Sequence, residues 1–266
     1  MNRFQQELET AKIIAKQAGS IMLEYFDADQ QKEIKQDGTP VTIADKLINT
    51  MVIDELRRVF PNDIVIGEEE STGGYGMGRR WFCDPIDGTK GYTWGTPTAM
   101  FSLGLVIDGM AVLGVAYDPF LDRLYYAVKG GGTFCNDQPI RVSKLSLREG
   151  VVAIGSSARE LRRGLPYLDA LLDNSVQTSI FSGAVYKMML VARGKAVGYT
   201  EALVNAHDMA ASHVIVEEAG GTISDMRGNT YDYTRPFRGT IVSNGVVHDE
   251  LVAIINEEQY ENHETQ

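Results

Sequence analysis

The sequence is organised around one stretch, Trp81-Phe82-Cys83-Asp84-Pro85-Ile86-Asp87-Gly88-Thr89-Lys90. Its apolar start suits a short buried strand, and Pro85 biases Asp84 towards an extended conformation, so we expect the carboxylates to emerge where the strand ends. The backbone amides of Gly88 and Thr89 carry little side chain over them. If a helical turn begins there, those amides and the helix dipole attract an anion. The stretch therefore predicts two acids beside an anion-binding turn.

This arrangement favours a metal and phosphate site. Carboxylates next to a phosphate would repel it unless divalent cations lie between them, and hard oxygen ligands favour Mg²⁺. A surface turn is the alternative, because Asp, Pro and Gly are turn formers and Asp-Gly is a frequent hairpin corner. The aliphatic Ile86 argues against an exposed turn. We therefore interpret the stretch as a site at which metal and phosphate bind together.

Composition excludes several classes of partner. The 266 residues are 44% hydrophobic, enough for one large domain or two of ordinary size, and the net charge is −11. Such acidity opposes binding to nucleic acid or to anionic membranes. The two cysteines, Cys83 and Cys135, form no metal-binding or disulfide pattern, which suits a reducing compartment. With no signal-peptide core and no apolar span, the sequence predicts a cytoplasmic protein without nucleic-acid or membrane partners.

The N-terminal half is predicted to be rich in antiparallel strands. Apolar residues at three- and four-residue intervals predict a long amphipathic helix over residues 2–27, and a second helix should begin at Thr42 and end before Pro61. Asp108-Gly109 between two apolar runs is a strong hairpin signal. Strands are predicted at 32–35, 63–66, 81–83, 100–107, 110–117, 123–128 and 140–142.

The C-terminal half changes to alternating strands and helices. Strands are predicted at 151–154, 176–180, 196–199 and 240–243, and helices at 165–172, 184–192, after 206 and at 246–255. We expect a domain boundary between Ser143 and Gly150, which divides the chain into an α+β domain (1–146) and a smaller α/β domain (147–266).

A second acidic cluster, Gly67-Glu68-Glu69-Glu70, follows the predicted strand at 63–66. Three adjacent acids are usually a solvated run. However, neighbouring strand ends bring such carboxylates together, and Asp84 is also predicted to lie at a strand end. On these residues alone both interpretations stay open.

Two further acids lie near predicted helix starts. Asp45, three residues after Thr42, resembles a capping box, and the cap alone is the favoured interpretation without other evidence. An N-cap is the simplest interpretation of Asp208, and close helix packing equally well explains the small residues after it. We expect His207 to pack or to form hydrogen bonds rather than to bind metal, because no second histidine is spaced to partner it.

Taken together, four motifs resemble the inositol monophosphatase family over essentially the whole chain. They are, in order, Thr42-Ile43-Ala44-Asp45, Gly67-Glu68-Glu69, Asp84-Pro85-Ile86-Asp87-Gly88-Thr89 and Asp208-Met209-Ala210-Ala211. The resemblance implies an α/β (α+β) fold with αβαβα layers, shared with fructose-1,6-bisphosphatase and lithium-sensitive bisphosphate nucleotidases. It also implies a homodimer that hydrolyses a small phosphorylated metabolite.

The resemblance also assigns roles to individual residues. The residues implied to hold two Mg²⁺ ions, with Asp84 bridging them, are Glu68, Asp84, Ile86 (through its carbonyl), Asp87 and Asp208. Glu68 is implied to touch a third, weaker ion. The residues implied to orient the attacking water are Thr89 together with either Glu68 or Asp45. The residues implied to contact phosphate or substrate are Asp87, Gly88, Thr89, Gly183, Ala184, Glu201 and Asp208.

The substrate is less well defined. Glu201 stands seven residues before Asp208, where inositol phosphatases keep an acid that contacts substrate hydroxyls. With Lys90, the motif Gly88-Thr89-Lys90 instead resembles that of histidinol-phosphate phosphatases and bisphosphate nucleotidases, because inositol phosphatases often have a second threonine at this position. His207 stands where the family usually has tryptophan. We expect an inositol-1-monophosphatase. The alternatives are a histidinol-phosphate phosphatase, a fructose-1,6-bisphosphatase and a 3′(2′),5′-bisphosphate nucleotidase.

Other mechanisms fit less well. A phosphatase that phosphorylates its own aspartate uses Asp-x-Asp-Gly-Thr, but Asp84 and Asp87 are three residues apart rather than two. Gly155-Ser156-Ser157 is not the Gly-x-Ser-x-Gly elbow of a serine hydrolase. A non-catalytic, metal-binding regulatory protein remains the alternative from another class, and the intact acids argue against it because unpaired carboxylates held together cost stability.

Overall fold

Two helices of the N-terminal half cover one face of a large sheet. The computed structural model describes residues 3–28, 30, 32–35, 38–155, 166–173 and 176–261. Helix α1 (Gln5–Phe26) buries residues spaced three and four apart, and α2 (Ile43–Val59) begins after Thr42, so both predicted helices are confirmed. Their apolar faces pack against the sheet and form one core with it.

The large sheet has seven strands in chain order. They are β3 (Ile64–Gly67), β4 (Arg79–Asp87), β5 (Met100–Ile107), β6 (Met110–Asp118), β7 (Arg123–Val128), β8 (Thr133–Cys135) and β9 (Gln138–Pro139). Only β3 and β4 are parallel; every other neighbouring pair in this sheet is antiparallel. The predicted hairpin is confirmed, since Asp108 and Gly109 both have positive φ between β5 and β6. A separate two-stranded ribbon is formed by β1 (Glu33–Ile34) and β2 (Pro40–Val41).

The strand predicted at 140–142 is wrong. The sheet ends instead with the β8–β9 hairpin, whose corner residues Asn136 and Asp137 adopt the left-handed conformation that short polar side chains tolerate. The apolar residues that suggested a strand, Ile140 and Val142, pack against the core between the two sheets, and the backbone amide of Val142 donates to the carbonyl of Ala219.

The small sheet has five strands in the order β11-β10-β12-β14-β13. They are β10 (Val151–Ile154), β11 (Gln177–Ile180), β12 (Gly198–Glu201), β13 (Thr222–Ser224) and β14 (Thr240–Ser243). Within the described residues, the remaining α-helices are α3 (Thr89–Tyr92), α4 (Pro166–Asp173), α5 (Ala184–Ala192), α6 (Ala206–Glu218) and α7 (His248–Glu261). The predicted alternation of strands and helices is confirmed, although the sequence did not indicate β13.

The two sheets and the helices form five layers, which confirms the αβαβα arrangement. Helices α5 and α6 lie between the sheets, and α4 and α7 cover the outer face of the small sheet. Strand β4 supplies two cores at once, because Trp81 and Cys83 face α1 and α2 whereas Phe82 faces the middle helices. The division into domains at 146/147 stays a prediction. None of the helices in the described part of the chain is long and apolar enough to cross a membrane.

Candidate active site

The parallel pairing of β3 and β4 brings two predicted acidic motifs together. Gly67 pairs with Cys83, and the backbone amide of Glu68 donates to the carbonyl of Cys83 at 3.1 Å. Glu68 therefore leaves β3 beside Asp84 of β4. Of the two interpretations that the sequence left open for the acids after β3, the structure has the one in which they lie beside the acids of the neighbouring strand.

The position of the carboxylates on β4 differs from expectation. Asp84 and Asp87 do not follow the strand but lie within its last part, where Asp84 pairs with Ser102 and Asp87 pairs with Met100. The pairing shifts by one residue between them, because Pro85 has no amide to donate and the ladder bulges there instead of ending. Residues three apart on a regular strand would face opposite sides. The bulge places both carboxylates on one side.

Helix α6 contributes the third acid of this cluster from the middle layer. Asp208 is the third residue of α6, and its Oδ2 accepts a hydrogen bond of 2.6 Å from the backbone amide of Asn205. Because α6 packs across β4 and β5, carboxylate oxygens of Asp84, Asp87 and Asp208 lie within 4.8 Å of one another. Asp208 thus belongs to a capping box and to the acidic cluster at the same time.

His207 lies in a second group with Glu68 and Asp84, in which the potential ligand atoms are also within 4.8 Å of one another. Its Nε2 is 3.8 Å from Asp208 Oδ2. The expectation that His207 packs or forms hydrogen bonds rather than binding metal stays a prediction, although this position would also allow it to bind a cation. The spacing argument looked for a second histidine along the chain, whereas the neighbouring acids come from β3 and β4.

Electrostatics of the cluster favour a bound cation. Asp84 is only 2% exposed, and its Oδ1 has no hydrogen-bond partner among the described residues. Burial and the charge of Glu68, with smaller effects of Asp208 and Asp87, raise the pKa of Asp84 well above its usual range. Burial and Asp208 raise the pKa of Asp87 to about 8. Oxygen donors that repel one another and include an unpartnered buried atom suit a hard divalent ion.

We expect the protein without bound cations to be more stable at pH 6.5 than at pH 8.5. Raised carboxyl pKa values, about 7 for Asp45 and about 8 for Asp87, mean that the folded state binds more protons than the unfolded state between roughly pH 4 and pH 8. The free energy of unfolding therefore falls as pH rises through this window. The melting temperature of chelated protein should fall by at least about 3 °C from pH 6.5 to 8.5, measured by calorimetry.

The matched control is Asp84→Asn, which removes a buried carboxylate charge. Oδ1 of Asp84 makes no hydrogen bond with the described residues, so the substitution breaks none at that atom. This variant should be more stable than the parent at pH 8.5 and show a shallower pH dependence. Saturating Mg²⁺ should also raise the melting temperature of the parent most at pH 8.5, because a cation binds the ionised acids. A melting temperature that rises with pH in chelated protein would contradict the proposed charge repulsion.

Asp45 and Thr89 form a polar pair at the edge of the cluster. The predicted capping box is confirmed, because the backbone amide and hydroxyl of Thr42 donate to Asp45 Oδ2 at 2.7 and 2.6 Å. The Thr89 hydroxyl lies 3.0 Å from the carbonyl of Ile86 and 3.5 Å from Asp45 Oδ1. Burial raises the pKa of Asp45 to about 7, with Glu68 adding to the rise. Asp45 is therefore a cap whose second oxygen faces Thr89.

Asp87 also fixes the start of α5. Its Oδ1 and Oδ2 accept from the backbone amides of Ala184 and Val185 at 2.9 and 2.8 Å. Gly183, which precedes the helix with φ of 95°, lies so close to Gly88 that a Cβ added to Gly88 would be 3.0 Å from the Cα of Gly183. Gly88 itself has φ of 82° and precedes α3. The predicted phosphate turn and the predicted substrate turn thus touch.

Lys35 is a site residue that the sequence did not indicate. Its Nζ lies 2.8 Å from Glu68 Oε1 and 2.5 Å from Glu69 Oε1. Burial alone would lower the pKa of Lys35, but the attraction of Glu68 and Glu69 outweighs burial and raises it. Lys35 lies between β1 and β2, more than thirty residues before the two acids, so the sequence carries no local signal for this contact.

Glu201 ends β12 and lies near the same acids. Its Oε2 accepts from the hydroxyl of Tyr199 at 2.5 Å and from Lys187 Nζ at 3.2 Å. Burial and Glu201, with smaller contributions from Asp87 and Asp208, raise the pKa of Tyr199. Lys90 is exposed on α3. The serines considered for a serine hydrolase, 156 and 157, lie outside the described residues.

Comparison with known proteins agrees with this geometry. The sequence model of the inositol monophosphatase family matches residues 4–260. A histidinol-phosphatase of Chlorobaculum parvum is 35% identical, covering 84% of this chain and 86% of the relative. A fructose-1,6-bisphosphatase/inositol-1-monophosphatase of Thermotoga maritima is 32% identical, covering 92% and 94%. The solved structure of an IMPase from Thermotoga maritima has a TM-score of 0.88 at 30% identity, covering 97% of this chain and 99% of that structure.

The layered fold and the acidic cluster define a metal-dependent phosphatase, a phosphoric monoester hydrolase that acts on small phosphorylated substrates. The chain belongs to the inositol monophosphatase family. The relatives carry names for different substrates, so the family alone does not assign one to this chain.

Proposed function

We propose that this protein is a Mg²⁺-dependent phosphatase of a small polyol monophosphate, with inositol monophosphate as the leading substrate. The observation that carries the proposal is the cluster of Asp84, Asp87 and Asp208 with its unpartnered buried oxygen, next to the turn at Gly88 and Thr89. Acids in this number beside an anion-binding turn are compatible with phosphate only when cations separate them.

The residues proposed to hold one Mg²⁺ are Glu68, Asp84 and Ile86 (through its carbonyl), and those for a second are Asp84, Asp87 and Asp208, with a third, weaker ion at Glu68. When bound, such ions offset the charge of the phosphate and lower the pKa of water in the site. The backbone amides of Gly88 and Thr89 are proposed to bind phosphate oxygens.

The chain's own groups are proposed to handle the proton of the attacking water. Thr89 Oγ1 lies between the carbonyl of Ile86 and Asp45 Oδ1. The hydroxyl is therefore able to accept a hydrogen bond from a water and to donate one to Asp45. A carboxyl whose pKa is about 7 accepts a proton efficiently near neutral pH. Glu68 is the alternative acceptor. Its proximity to Lys35 means that a cation at Glu68 competes with an ion pair.

Glu201 favours a polyol phosphate as the substrate over a phosphate monoester that has no other polar groups. The substrate residues Gly183 and Ala184 begin α5 beside Asp87, and Glu201 is joined to α5 through Lys187. The carboxylate of Glu201 is able to accept hydrogen bonds from substrate hydroxyls. Histidinol phosphate is the second candidate, because the Chlorobaculum parvum relative is named a histidinol-phosphatase. We also propose, from the family resemblance, that the protein is a lithium-sensitive, cytoplasmic homodimer.

The test is a phosphate-release screen with Mg²⁺ that compares inositol 1-phosphate, histidinol phosphate, fructose 1,6-bisphosphate and 3′-phosphoadenosine 5′-phosphate. We expect inositol 1-phosphate to be hydrolysed with the highest kcat/KM. Faster hydrolysis of 3′-phosphoadenosine 5′-phosphate than of any monophosphate would overturn the substrate assignment. Phosphate release from none of the four, or Mg²⁺ binding without turnover, would favour the non-catalytic alternative.

Glu201→Gln should raise KM for inositol 1-phosphate by roughly tenfold or more, because a neutral amide accepts hydroxyl hydrogen bonds less strongly than a carboxylate. KM for p-nitrophenyl phosphate, which has no hydroxyl to contact Glu201, should change much less. Melting temperatures of both proteins control for folding. Equal increases for the two substrates would show that Glu201 does not contact the substrate.

A further inference from the structure

A buried lysine lies directly behind Glu201 and has no role in the reaction as described so far. Lys187 on α5 is 2% exposed, and its Nζ is 3.2 Å from Glu201 Oε2 and donates to the carbonyl of Phe181 at 3.2 Å. The same Oε2 accepts the hydroxyl of Tyr199 at 2.5 Å. A fully buried ammonium is stable only when an opposite charge pairs with it. Glu201 is therefore the counter-ion of Lys187.

This pairing determines how Glu201 meets a substrate. Both hydrogen bonds that the described residues make to its carboxylate fall on Oε2, which leaves Oε1 to accept from outside. The backbone at Gly155 packs close to the same oxygen, since a Cβ added to Gly155 would lie 1.7 Å from Glu201 Oε2. Lys187, Tyr199 and Gly155 thus all lie against Oε2, and the ammonium of Lys187 balances the charge of the carboxylate. It presents an acceptor atom without an excess negative charge.

We propose that Lys187 is a specificity-determining residue that makes the substrate side of the site select hydroxyl groups and reject ammonium groups. An alcohol donates a hydrogen bond to Oε1 whether or not the charge of the carboxylate is neutralised. A substrate ammonium binds mainly through attraction to a negative charge that no other cation balances. Lys187 balances the charge of Glu201 and also repels the substrate ammonium, so this attraction is lost. Lys187 touches no substrate and acts through Glu201, so it is a positioning residue. The proposal rests on the proposed function and narrows its substrate class to polyol rather than amino-alcohol phosphates.

The experiment uses two substrates that differ in one group. Glycerol 1-phosphate and the phosphate ester of 2-amino-1,3-propanediol have the same shape, but the second carries an ammonium where the first carries a hydroxyl. We expect the full chain with Mg²⁺ to prefer the hydroxyl ester by roughly tenfold or more in kcat/KM, mostly through KM. The ratio of the two values is taken within each variant, so a general loss of activity cancels.

Lys187→Met removes the charge and keeps a long side chain. It should move the ratio towards the ammonium ester by roughly tenfold. Adding Glu201→Gln to it leaves neither charge, and the ratio should return towards that of the parent. The matched control is Lys195→Met, which deletes an exposed lysine after the same helix and should leave the ratio unchanged.

The outcomes separate this inference from the proposed function. Hydrolysis of both esters with an unchanged ratio in Lys187→Met would overturn the role of Lys187 and leave the phosphatase intact. A preference of the parent protein for the ammonium ester would also overturn the role of Lys187. This measurement needs no variant, so it tests the proposal even if Lys187→Met fails to fold. Absence of Mg²⁺-dependent release from every ester, including p-nitrophenyl phosphate, would overturn the proposed function and the inference together.

Discussion

Removal of divalent cations is expected to abolish phosphate release by this protein. Asp84, Asp87 and Asp208 place three carboxylates within 4.8 Å of one another, and burial raises the pKa of each. A phosphate brought to this cluster without cations would meet repulsion from every side. Since each 1.4 kcal/mol of lost transition-state stabilisation costs a factor of ten, loss of cations worth several kcal/mol should reduce kcat/KM by at least about 10³-fold.

The measurement is phosphate release after dialysis against a chelator, followed by titration with Mg²⁺. Activity should return with Mg²⁺, and calorimetry should show that Mg²⁺ binds the dialysed protein. The ion pairs of Lys35 with Glu68 and Glu69 must break when a cation binds at Glu68. Full activity after thorough chelation would end the proposal that metal and phosphate bind together here.

Much of the fold could be predicted because its signals are local. The capping box at Thr42 and Asp45 and the turn at Asp108-Gly109 depend on residues that are neighbours in sequence, and both occur as expected. The convergence of Glu68 with Asp84 stayed open at the level of the sequence, because it depends on the parallel pairing of β3 with β4, which the sequence did not indicate.

The features that the sequence did not reveal depend on contacts between distant segments. The bulge at Pro85 became visible only once β4 was paired with β5, and it decides that Asp84 and Asp87 share one side. His207 reaches the acids because α6 crosses β4, and Lys35 reaches them from the turn between β1 and β2. Periodicity along one element carries no information about such crossings.

Asp208→Asn and Asp87→Asn are each expected to reduce kcat by about 10²-fold or more, because each removes a charge proposed to hold a cation that stabilises the transition state. The two variants should differ in stability. Asn at 208 still has an oxygen to accept the amide of Asn205, whereas Asn at 87 keeps only one acceptor for the two amides that begin α5. We therefore expect Asp87→Asn alone to lower the melting temperature clearly.

Asp118→Asn provides a matched control for this comparison. Asp118 is a buried acid at the end of β6 that also accepts from two backbone amides, those of Phe120 and Leu121, but it lies outside the acidic cluster. Its replacement should lower stability and leave kcat within about threefold, since no charge near the phosphate is lost. Near-normal turnover in Asp208→Asn would exclude that carboxylate as a metal ligand. Equal losses of activity in all three variants would mean that damage to folding, rather than loss of a cation, explains the effect.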